Sequence, residues 1–325
     1  MFKKLKRSIC AAVLSLISLS AGAVYAQDLC DGDPVSVLSP FGGGVSDVMA
    51  RLVFDEISKS TGQVFNVVAR KGAGGVLATR ELVEASPNGC TLSMIGQSQL
   101  VIAPLADVAI GYDPIADVRA ITMIGGSPAV IAVQSGKGIQ SIEQLSDVYG
   151  TGQKATFSTP GALTITRIFA DLVFDRLKVG SINIPYASSG EAVADAVSGS
   201  VDLTVMTFST LRGQIEAGTL TPLVVSSIER LDTLPNVPTV DELGFQDLTT
   251  LIWFGVGAPA GLSDEMAQNL SKEIMMALDK ENVLASLDAA NISVDPVSGE
   301  SFRALIRDQI ATYSDMTKSI SRDKP

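Results

Sequence analysis

Between an apolar strand and an amphipathic helix the sequence reads Ser39-Pro40-Phe41-Gly42-Gly43-Gly44-Val45-Ser46-Asp47. Three consecutive glycines allow the backbone to approach a ligand without obstruction from Cβ atoms. The unpaired N–H groups and the positive end of the helix dipole point at the same place. The segment therefore predicts a cradle for an anion or a polar ligand. A tight strand-to-helix turn, with Ser46 or Asp47 as the N-cap, is the alternative.

Strands and helices alternate around this segment. Apolar residues at helical spacing predict a helix that ends at Gly62, between strands at residues 35–38 and 64–68. A shorter helix at 76–85 and a strand at 91–95 follow. This alternation is typical of a parallel sheet with helices on both of its faces.

The second half of the chain has the same organisation with a different sequence. A length of 325 residues with 46% hydrophobic composition favours two domains. The last elements, a strand and two amphipathic helices, are expected to return to the first domain. The predicted elements are strands at 130–133, 155–158, 181–184, 201–206, 223–226 and 251–256, and helices from the capping-box sequence at 141–144 onward, at 164–177, 191–197, 263–278 and 301–320.

Residues 1–26 have the pattern of a secretory signal peptide. Four basic residues precede an apolar run at 9–19, and Val24-Tyr25-Ala26 fits the small-residue cleavage pattern. The apolar run is too short to span a membrane. We therefore expect cleavage near Ala26 and a soluble, extracytoplasmic mature protein that begins near Gln27.

The mature chain is strongly acidic. Cleavage removes four of the 24 basic residues and none of the 35 acidic ones, so the net charge changes from −11 to about −15. An acidic surface repels polyanions, and contacts to phosphates dominate affinity for nucleic acids. We therefore do not expect a nucleic-acid partner.

Two cysteines, Cys30 and Cys90, remain after the leader with Cys10 is removed. An even number in an oxidising compartment is typical of a disulfide. Both lie just before predicted strands, and adjacent parallel strands would place them at one edge of the sheet. We predict a disulfide between them, with two free thiols as the alternative.

The chain contains no histidine. Ser-His-Asp and Cys-His catalytic arrangements are therefore impossible, and the common zinc sites lose their usual ligand. The segments at 42–47 and 72–77 resemble a dinucleotide-binding motif but lack its last glycine. We expect neither an enzyme nor a bound cofactor or metal, although a carboxylate-only acid–base pair stays open.

A set of short motifs in order along the chain resembles the Bug, or TctC-type, substrate-binding proteins of tripartite tricarboxylate transporters. The resemblance covers nearly the whole mature chain. The motifs are Pro40-Phe41, Gly43-Gly44-Val45-Ser46-Asp47, Ala50-Arg51, Gly72-Ala73-Gly74-Gly75, Pro87-Asn88-Gly89, Thr91-Leu92, Thr159-Pro160-Gly161, Pro185-Tyr186, Gly199, Ala217-Gly218, Arg230, Leu234-Pro235-Asn236-Val237-Pro238-Thr239-Val240, Glu242-Leu243-Gly244, Trp253-Phe254-Gly255 and Ala258-Pro259.

The resemblance implies a two-domain periplasmic-binding-protein fold of the type II, flytrap kind. Parallel-rich α/β sheets would be joined by a hinge of crossing strands. The expected domains are residues 27–126 with 251–325, and residues 127–250. The two domains would close on a small ligand that carries carboxylates.

The resemblance also implies which loops hold the ligand. They are the loop after the first strand and its counterpart in the second domain, and we add residues at the carboxyl ends of other strands. For Tyr186, a hydroxyl at the cleft edge competes with simple packing. The candidate residues are Phe41, Gly43, Gly44, Val45, Ser46, Asp47, Gln97, Ser98, Thr159, Gly161, Ala162, Leu163, Thr164, Tyr186, Thr207 and Phe208.

The second loop departs from the family pattern, which usually has a glycine and a histidine where this chain has Leu163 and Arg167. We expect Leu163 to narrow the pocket or add an apolar wall. Arg167, one turn into a helix, opposes the helix dipole unless an anion or an acidic side chain lies nearby. The hypothesis that Arg167 reaches the ligand stands beside that of a solvated surface arginine.

The resemblance implies a periplasmic receptor that delivers a small organic acid to membrane permease subunits. We expect a monomer, because a flytrap must move and must show both lobes to its partner. A periplasmic sensing subunit, which presents its ligand-bound state to a membrane signalling protein, is the alternative. The ligand-binding chemistry is the same in both.

Overall fold

The computed structural model describes residues 29–106, 109–150 and 152–322. The predicted signal peptide and Cys10 lie outside the described residues. Within them, ten strands form one mixed sheet. The strands are β1 Val35–Ser39, β2 Phe65–Ala69, β3 Thr91–Gly96, β4 Val118–Gln134, β5 Ala155–Thr159, β6 Ser181–Pro185, β7 Leu203–Thr207, β8 Leu220–Val225, β9 Leu251–Pro259 and β10 Ser293–Ser298.

Helices pack against the strands of this sheet. A π-helical turn, Ser98–Ile102, follows β3. The α-helices of the described chain are α1 Val45–Thr61, α2 Val76–Glu84, α3 Gln144–Tyr149, α4 Ile165–Arg176, α5 Ser189–Ser198, α6 Phe208–Glu216, α7 Asp264–Leu278, α8 Glu281–Ala289 and α9 Gly299–Arg322.

The strand order is β2-β1-β3-β9-β4-β7-β5-β6, with β10 and β8 also paired to β4. Parallel pairs occupy the two ends, where β1 lies between β2 and β3 and β5 lies between β6 and β7. All pairs made by β4 and β9 are antiparallel. The predicted α/β fold, with parallel strands in each domain and crossing strands between them, is confirmed.

The long strand β4 passes from one half of the sheet to the other. Its residues 118–128 pair with β9, and its residues 129–134 pair with β7 and β8. We call the elements from β1 to the first part of β4, together with those from β9 to α9, lobe 1. The elements from the last part of β4 to β8 form lobe 2. The exact domain boundaries after residues 126 and 250 stay a prediction.

The first helix ends as predicted but begins earlier. Gly62 terminates α1 in the left-handed conformation (φ 81°), and its N–H donates to the carbonyl of Ser58. The N-cap is Gly44, which offers no side chain to the helix. The prediction that Ser46 or Asp47 caps this helix is therefore wrong, because both residues lie inside its first turn.

Three elements were not predicted, namely α6, α8 and β10, and β4 is much longer than the predicted strand. The sequence Gly125-Gly126-Ser127-Pro128 is typical of a turn, yet it is paired with β9 on one side. A Cβ atom at Gly125 (φ 153°) would lie 1.9 Å from the carbonyl oxygen of Ser293. Glycine is therefore required there for the close approach of β10.

The apolar core extends through both lobes. One buried cluster includes Phe54 and Phe302 of lobe 1 and Phe157 of lobe 2. Trp253 of β9 packs against Phe302 with ring centroids 5.3 Å apart, and its indole N–H donates to Gln309 at 2.7 Å. The crossing strands therefore contribute to a core that reaches both lobes, and a second buried cluster lies within lobe 2.

A disulfide joins Cys30 to Cys90, whose Cα atoms are 4.4 Å apart. The two residues precede β1 and β3, which are neighbouring parallel strands as the sequence argument required. Among the helices of the described residues, none combines the length and the apolar character that crossing a membrane would demand.

Candidate ligand site between the lobes

A cavity of about 30 Å³ lies between the two lobes, where the loop after β1 faces the loop after β5. Both lobes contribute to its wall. Lobe 1 supplies Phe41, Gly44, Val45, Ser98, Ile252 and Phe254. Lobe 2 supplies Pro160, Ile165, Thr166, Ser189, Met206, Thr207 and Thr210.

Four α-helices begin at this cavity. The wall includes Val45, Ile165 and Ser189, which are the first residues of α1, α4 and α5. It also includes Thr207, the N-cap of α6. Each helix start carries N–H groups without an intrahelical partner and the positive end of the helix dipole. The wall is therefore electropositive without cationic side chains.

No charged side chain is present among the described residues that line the cavity. Five hydroxyl groups are present instead, and several are already ordered. The hydroxyls of Thr207 and Thr210 are 2.8 Å apart, and Thr166 is hydrogen-bonded to Thr164 at 3.0 Å. Hydroxyls and peptide N–H groups can together bind carboxylate oxygens.

Apolar side chains complete the wall. Phe41 and Phe254, both in lobe 1, pack edge to face with ring centroids 6.0 Å apart. Ile252 lies on the same strand as Phe254, and Met206 contributes from β7 on the opposite lobe. A ligand bound here would meet hydrocarbon as well as polar groups.

Hydrogen bonds cross directly between the lobes at the cavity. The N–H of Ser189 donates to the carbonyl of Phe41 at 3.1 Å. The N–H of Ile165 donates to the hydroxyl of Ser98 at 3.2 Å. In both bonds a group of lobe 1 satisfies a donor at a helix start of lobe 2. The lobes are thus held together by the same helix ends that line the cavity.

An ion pair and a backbone contact extend this interlobe contact outside the cavity. Lys71 and Glu191 pair at 3.0 Å, and the hydrogen bond from Lys71 holds the pKa of Glu191 below its usual value. A Cβ atom at Gly161 (φ 145°) would lie 2.6 Å from the backbone nitrogen of Gly74. The glycine-rich motif at 72–75 therefore lies against the second predicted ligand loop.

The structure brings part of the predicted site into the cavity wall. Five predicted residues line it, namely Phe41, Gly44, Val45, Ser98 and Thr207. The others surround it or lie away from it. The predicted residues outside the wall are Gly43, Ser46, Asp47, Gln97, Thr159, Gly161, Ala162, Leu163, Thr164, Tyr186 and Phe208.

Two of these residues fix the shape of the second loop. The hydroxyls of Thr159 and Thr164 both donate to the carbonyl of Gly161, at 3.0 and 2.9 Å. Thr164 is also the N-cap of α4, because its hydroxyl accepts from the N–H of Arg167. These residues position the loop rather than line the cavity.

Leu163 and Arg167 do not reach the cavity wall. The carbonyl of Leu163 approaches Gly74, and its side chain packs against the core. Arg167 pairs with Asp171 at 3.2 Å and donates to the carbonyl of Ala162. Asp171 is the acidic neighbour that a cation near a helix start requires. The placement favours the surface interpretation of Arg167.

Tyr186 and Phe208 pack inside lobe 2. The Tyr186 hydroxyl donates to Asp195 at 2.6 Å, and burial together with that carboxylate raises the pKa of Tyr186 to about 12. This placement favours the packing alternative for Tyr186.

Several polar atoms near the first loop are buried without a hydrogen-bond partner in the described chain. They include the hydroxyls of Ser39 and Ser46, one carboxylate oxygen of Asp47 and the side-chain oxygen of Gln97. The amide nitrogen of Gln97 donates to Tyr313 at 3.3 Å. Unpaired buried polar atoms are uncommon, and two of these residues, Ser46 and Asp47, lie in the first turn of α1.

Some residues of the cavity wall were not predicted from the sequence, and only a few of these have a recognisable sequence signal. Ser188 caps α5 by accepting from the N–H of Glu191, and this Ser-x-x-Glu spacing marks Ser189 as the first helical residue. Thr210 was missed because α6 was not predicted. Met206, Ile252 and Phe254 lie on predicted strands, but no local pattern shows that they face the other lobe.

No group of three or more metal-binding side chains occurs in the part of the chain that the structure describes.

Residues 49–321 match the model of the tripartite tricarboxylate transporter family receptor. The chain is 31% identical to a UPF0065 protein of Bordetella bronchiseptica over 91% of this chain and 86% of that protein. Its fold is similar to that of MatC from Rhodopseudomonas palustris with bound malate (TM-score 0.81, 23% identity, 87% of this chain and 98% of that one). It is also similar to Rpa4515 of R. palustris with adipate (TM-score 0.83, 24% identity, 88% and 96%).

Proposed function

Because this chain belongs to the tripartite tricarboxylate transporter receptor family, we propose that it binds a small organic acid between its lobes and delivers it to the membrane subunits of such a transporter. The family consists of receptors, so a solute-binding role is common to its members. The identity of the solute class and the delivery step are the proposal.

The convergence of four helix starts on one cavity carries this proposal. A carboxylate between the separated lobes would meet the start of α1 from lobe 1 and the starts of α4 and α5 from lobe 2. The first N–H groups of α4 and α5, which otherwise donate to Ser98 and Phe41, would then be open to the ligand. Helix N-termini stabilise anions, and partial burial strengthens the interaction. With no cation in the described wall, peptide groups and hydroxyls supply the whole polar part of the binding interaction.

The arrangement suits a ligand with two anionic ends. The start of α1 faces the starts of α4 and α5 across the interface, so each lobe can hold one carboxylate. Malate and adipate, the ligands of the two similar structures, are both dicarboxylates. The apolar wall around Phe41 and Phe254 would contact the hydrocarbon between the two ends.

Ligand entry requires the lobes to separate. The cavity of about 30 Å³ has room for about two water molecules, which is far less space than a dicarboxylate needs. The strands β4 and β9 connect the lobes, so bending there would open the cleft. We propose residues 27–126 with 251–325, and residues 127–250, as the two moving domains.

We further propose that the mature protein works in the periplasm as a monomer and without a cofactor. The signal-peptide pattern of residues 1–26 supports export. Hinge closure supports a monomer, because both lobes must stay free to move and to contact the permease subunits.

A thermal-shift screen of mono-, di- and tricarboxylates tests the binding step. A ligand that binds only the folded state raises the melting temperature with concentration. We expect a saturable shift with one dicarboxylate class. No shift with any carboxylate, from folded protein free of ligand by native mass spectrometry, would contradict the proposal.

Two glycine variants test whether the ligand that shifts the melting temperature binds in the cavity. In Gly44→Ala the new Cβ would lie 3.2 Å from the Ser189 hydroxyl and 3.6 Å from that of Thr210, so it occupies the cavity. Gly213→Ala adds the same methyl group to α6 where no atom lies within 4 Å. We expect the ligand-induced shift to disappear in Gly44→Ala and to persist in Gly213→Ala. Equal shifts in both variants would place the ligand elsewhere.

A further inference from the structure

A second and larger cavity lies on lobe 1, away from the interface between the lobes. It has a volume of about 730 Å³ and shares no lining residue with the cavity between the lobes, which we call the cleft. The first part of β4, the helix α7 and the start of α9 form its walls. We call this cavity the lateral groove. Its volume lies in the range that is usual for sites of small organic molecules.

The lateral groove is locally cationic although the protein is acidic. Arg119, Lys272 and Arg303 line it together with Asp264 and Glu300, so basic residues exceed acidic ones there by one. The whole chain carries a net charge of −11. A positive site in a negative protein is therefore a local feature of this groove.

Ion pairs among the described residues of the groove leave one cation unpaired. Arg119 pairs with Asp264 at 2.5 Å, and Glu300 lies 3.9 Å from Arg303. Glu300 is shared with Arg307, which lies outside the groove wall, at 2.8 Å. Lys272 forms no ion pair with any residue that the structure describes. Its ammonium group is available to an anion.

An unpaired donor and a helix start add to the positive character of the groove. The Nε atom of Arg303 is buried without a hydrogen-bond acceptor in the described chain, while another nitrogen of the same guanidinium donates to the carbonyl of Ile115 at 3.0 Å. The helix α9 begins at Gly299, which also lines the groove, so its positive dipole end lies there. Unsatisfied buried donors are costly unless a ligand or water accepts from them.

The rest of the groove wall is largely apolar. Val118 and Ile121 come from β4, and Ala267 and Met275 come from α7. Cationic groups beside an apolar wall suit a molecule with an anionic head and a hydrocarbon body. We propose that the lateral groove is a second binding site, for an amphiphilic organic anion such as an aryl or medium-chain alkyl carboxylate.

Fluorescence titration with 8-anilinonaphthalene-1-sulfonate, an aromatic anion that brightens in apolar surroundings, tests the proposal on the full-length protein. We expect saturable binding of one molecule per chain. Octanoate should displace the probe, and octanol, which lacks the charge, should not. Adipate, a probe for the cleft, should leave the fluorescence unchanged. Displacement by adipate would assign the probe to the cleft and overturn the second site.

Three variants locate the probe. Lys272→Ala should weaken binding by at least about fivefold, because a charge-assisted contact is lost. Lys154→Ala removes an exposed lysine of lobe 2 that forms no ion pair with a described residue, and it should leave affinity unchanged. Gln268→Trp places a large side chain in the groove from an exposed position of α7 and should abolish binding.

Circular dichroism and melting temperature establish that each variant is folded. Binding that is unchanged in both Lys272→Ala and Gln268→Trp would overturn the proposal, as would the absence of saturable binding to the wild-type protein. Neither outcome depends on whether a carboxylate binds in the cleft, so the two proposals fail independently.

Discussion

The hydroxyl oxygen of Ser98 accepts a hydrogen bond from the backbone N–H of Ile165 at 3.2 Å. Ser98 follows β3 in lobe 1, and Ile165 is the first residue of α4 in lobe 2. The donor is one of the N–H groups that have no acceptor within their own helix. A side chain of one lobe thus binds the helix start of the other lobe at the wall of the proposed ligand site.

Replacement of Ser98 by alanine should destabilise the closed arrangement. The substitution leaves the N–H of Ile165 as a buried donor without an acceptor, and such a group costs about 1–3 kcal/mol. We expect the free energy of unfolding, measured by urea denaturation, to fall by that amount. The control is Ser60→Ala on α1. Ser60 is exposed, and its hydroxyl donates to the carbonyl of Ile57. This variant should change the free energy of unfolding by less than about 0.5 kcal/mol. Equal effects would show that Ser98 does not hold the lobes.

Gly161→Ala should prevent the lobes from closing fully. Its Cβ atom would lie 2.6 Å from the backbone nitrogen of Gly74, and neither backbone segment can yield as a flexible side chain would. We expect at least about tenfold weaker binding of the dicarboxylate found by thermal-shift screening.

The matched control is Gly199→Ala. Gly199 has a positive φ of 81° with no atom within 4 Å of its Cβ position, so this variant has the backbone strain without the contact. It should lower stability and leave ligand affinity unchanged. Similar losses of affinity in both glycine variants would remove the interlobe contact as the cause.

We expect the Lys71–Glu191 ion pair to stabilise the folded protein near neutral pH and to lose this effect in acid. The hydrogen bond from Lys71 lowers the pKa of Glu191 from its ordinary value of 4.5. A carboxylate with a lowered pKa stabilises the folded protein at pH values above the ordinary pKa of glutamate. This contribution is lost as the pH falls through the lowered pKa.

Melting temperatures of wild-type protein and Glu191→Gln should therefore differ near neutral pH and converge in acid below the ordinary glutamate value. Glu242→Gln removes an ion pair with Arg230 in the segment between β8 and β9, and it provides a comparison that does not cross between the lobes. A difference between wild type and Glu191→Gln that does not change with pH would contradict the ion-pair explanation.

Removal of the disulfide should lower stability substantially. Cys30 and Cys90 are 60 positions apart, so the bond closes a long loop in the unfolded chain. The double serine variant should lose about 2–4 kcal/mol of unfolding free energy. Wild-type protein unfolded in the presence of a reductant should match the double variant. Unchanged stability of wild-type protein whose two thiols are shown to be reduced would mean that the bond contributes little.

Elements with a clear periodicity were predictable from sequence. The helix before Gly62 and the strands on either side follow from apolar spacing and a glycine stop, and the disulfide follows from two cysteines ahead of neighbouring strands. The strand β4 could not be predicted in full, because Gly125 and Pro128 have local preferences that the pairing with β9 and β10 overrides.

The sequence was sufficient to predict which loop forms the candidate site. It was not sufficient to predict which side chains line it. Phe41 and Gly44 lie in a glycine-rich turn that is recognisable in the sequence. Ser189 and Thr210 reach the cavity only because lobe 2 lies against lobe 1, and that placement depends on contacts between distant segments. The hydroxyl of Tyr186 turns away because Asp195, within α5, accepts from it.

A cavity wall built from peptide N–H groups and hydroxyls has no titratable side chain of its own among the described residues. Peptide dipoles keep the same strength whether the surrounding medium is acidic or neutral. The pH response of such a receptor would then depend on its ligand, since only the carboxylates of the bound acid gain or lose protons. Selectivity between acids of different strength could thus follow the medium without any proton sensor in the cavity wall.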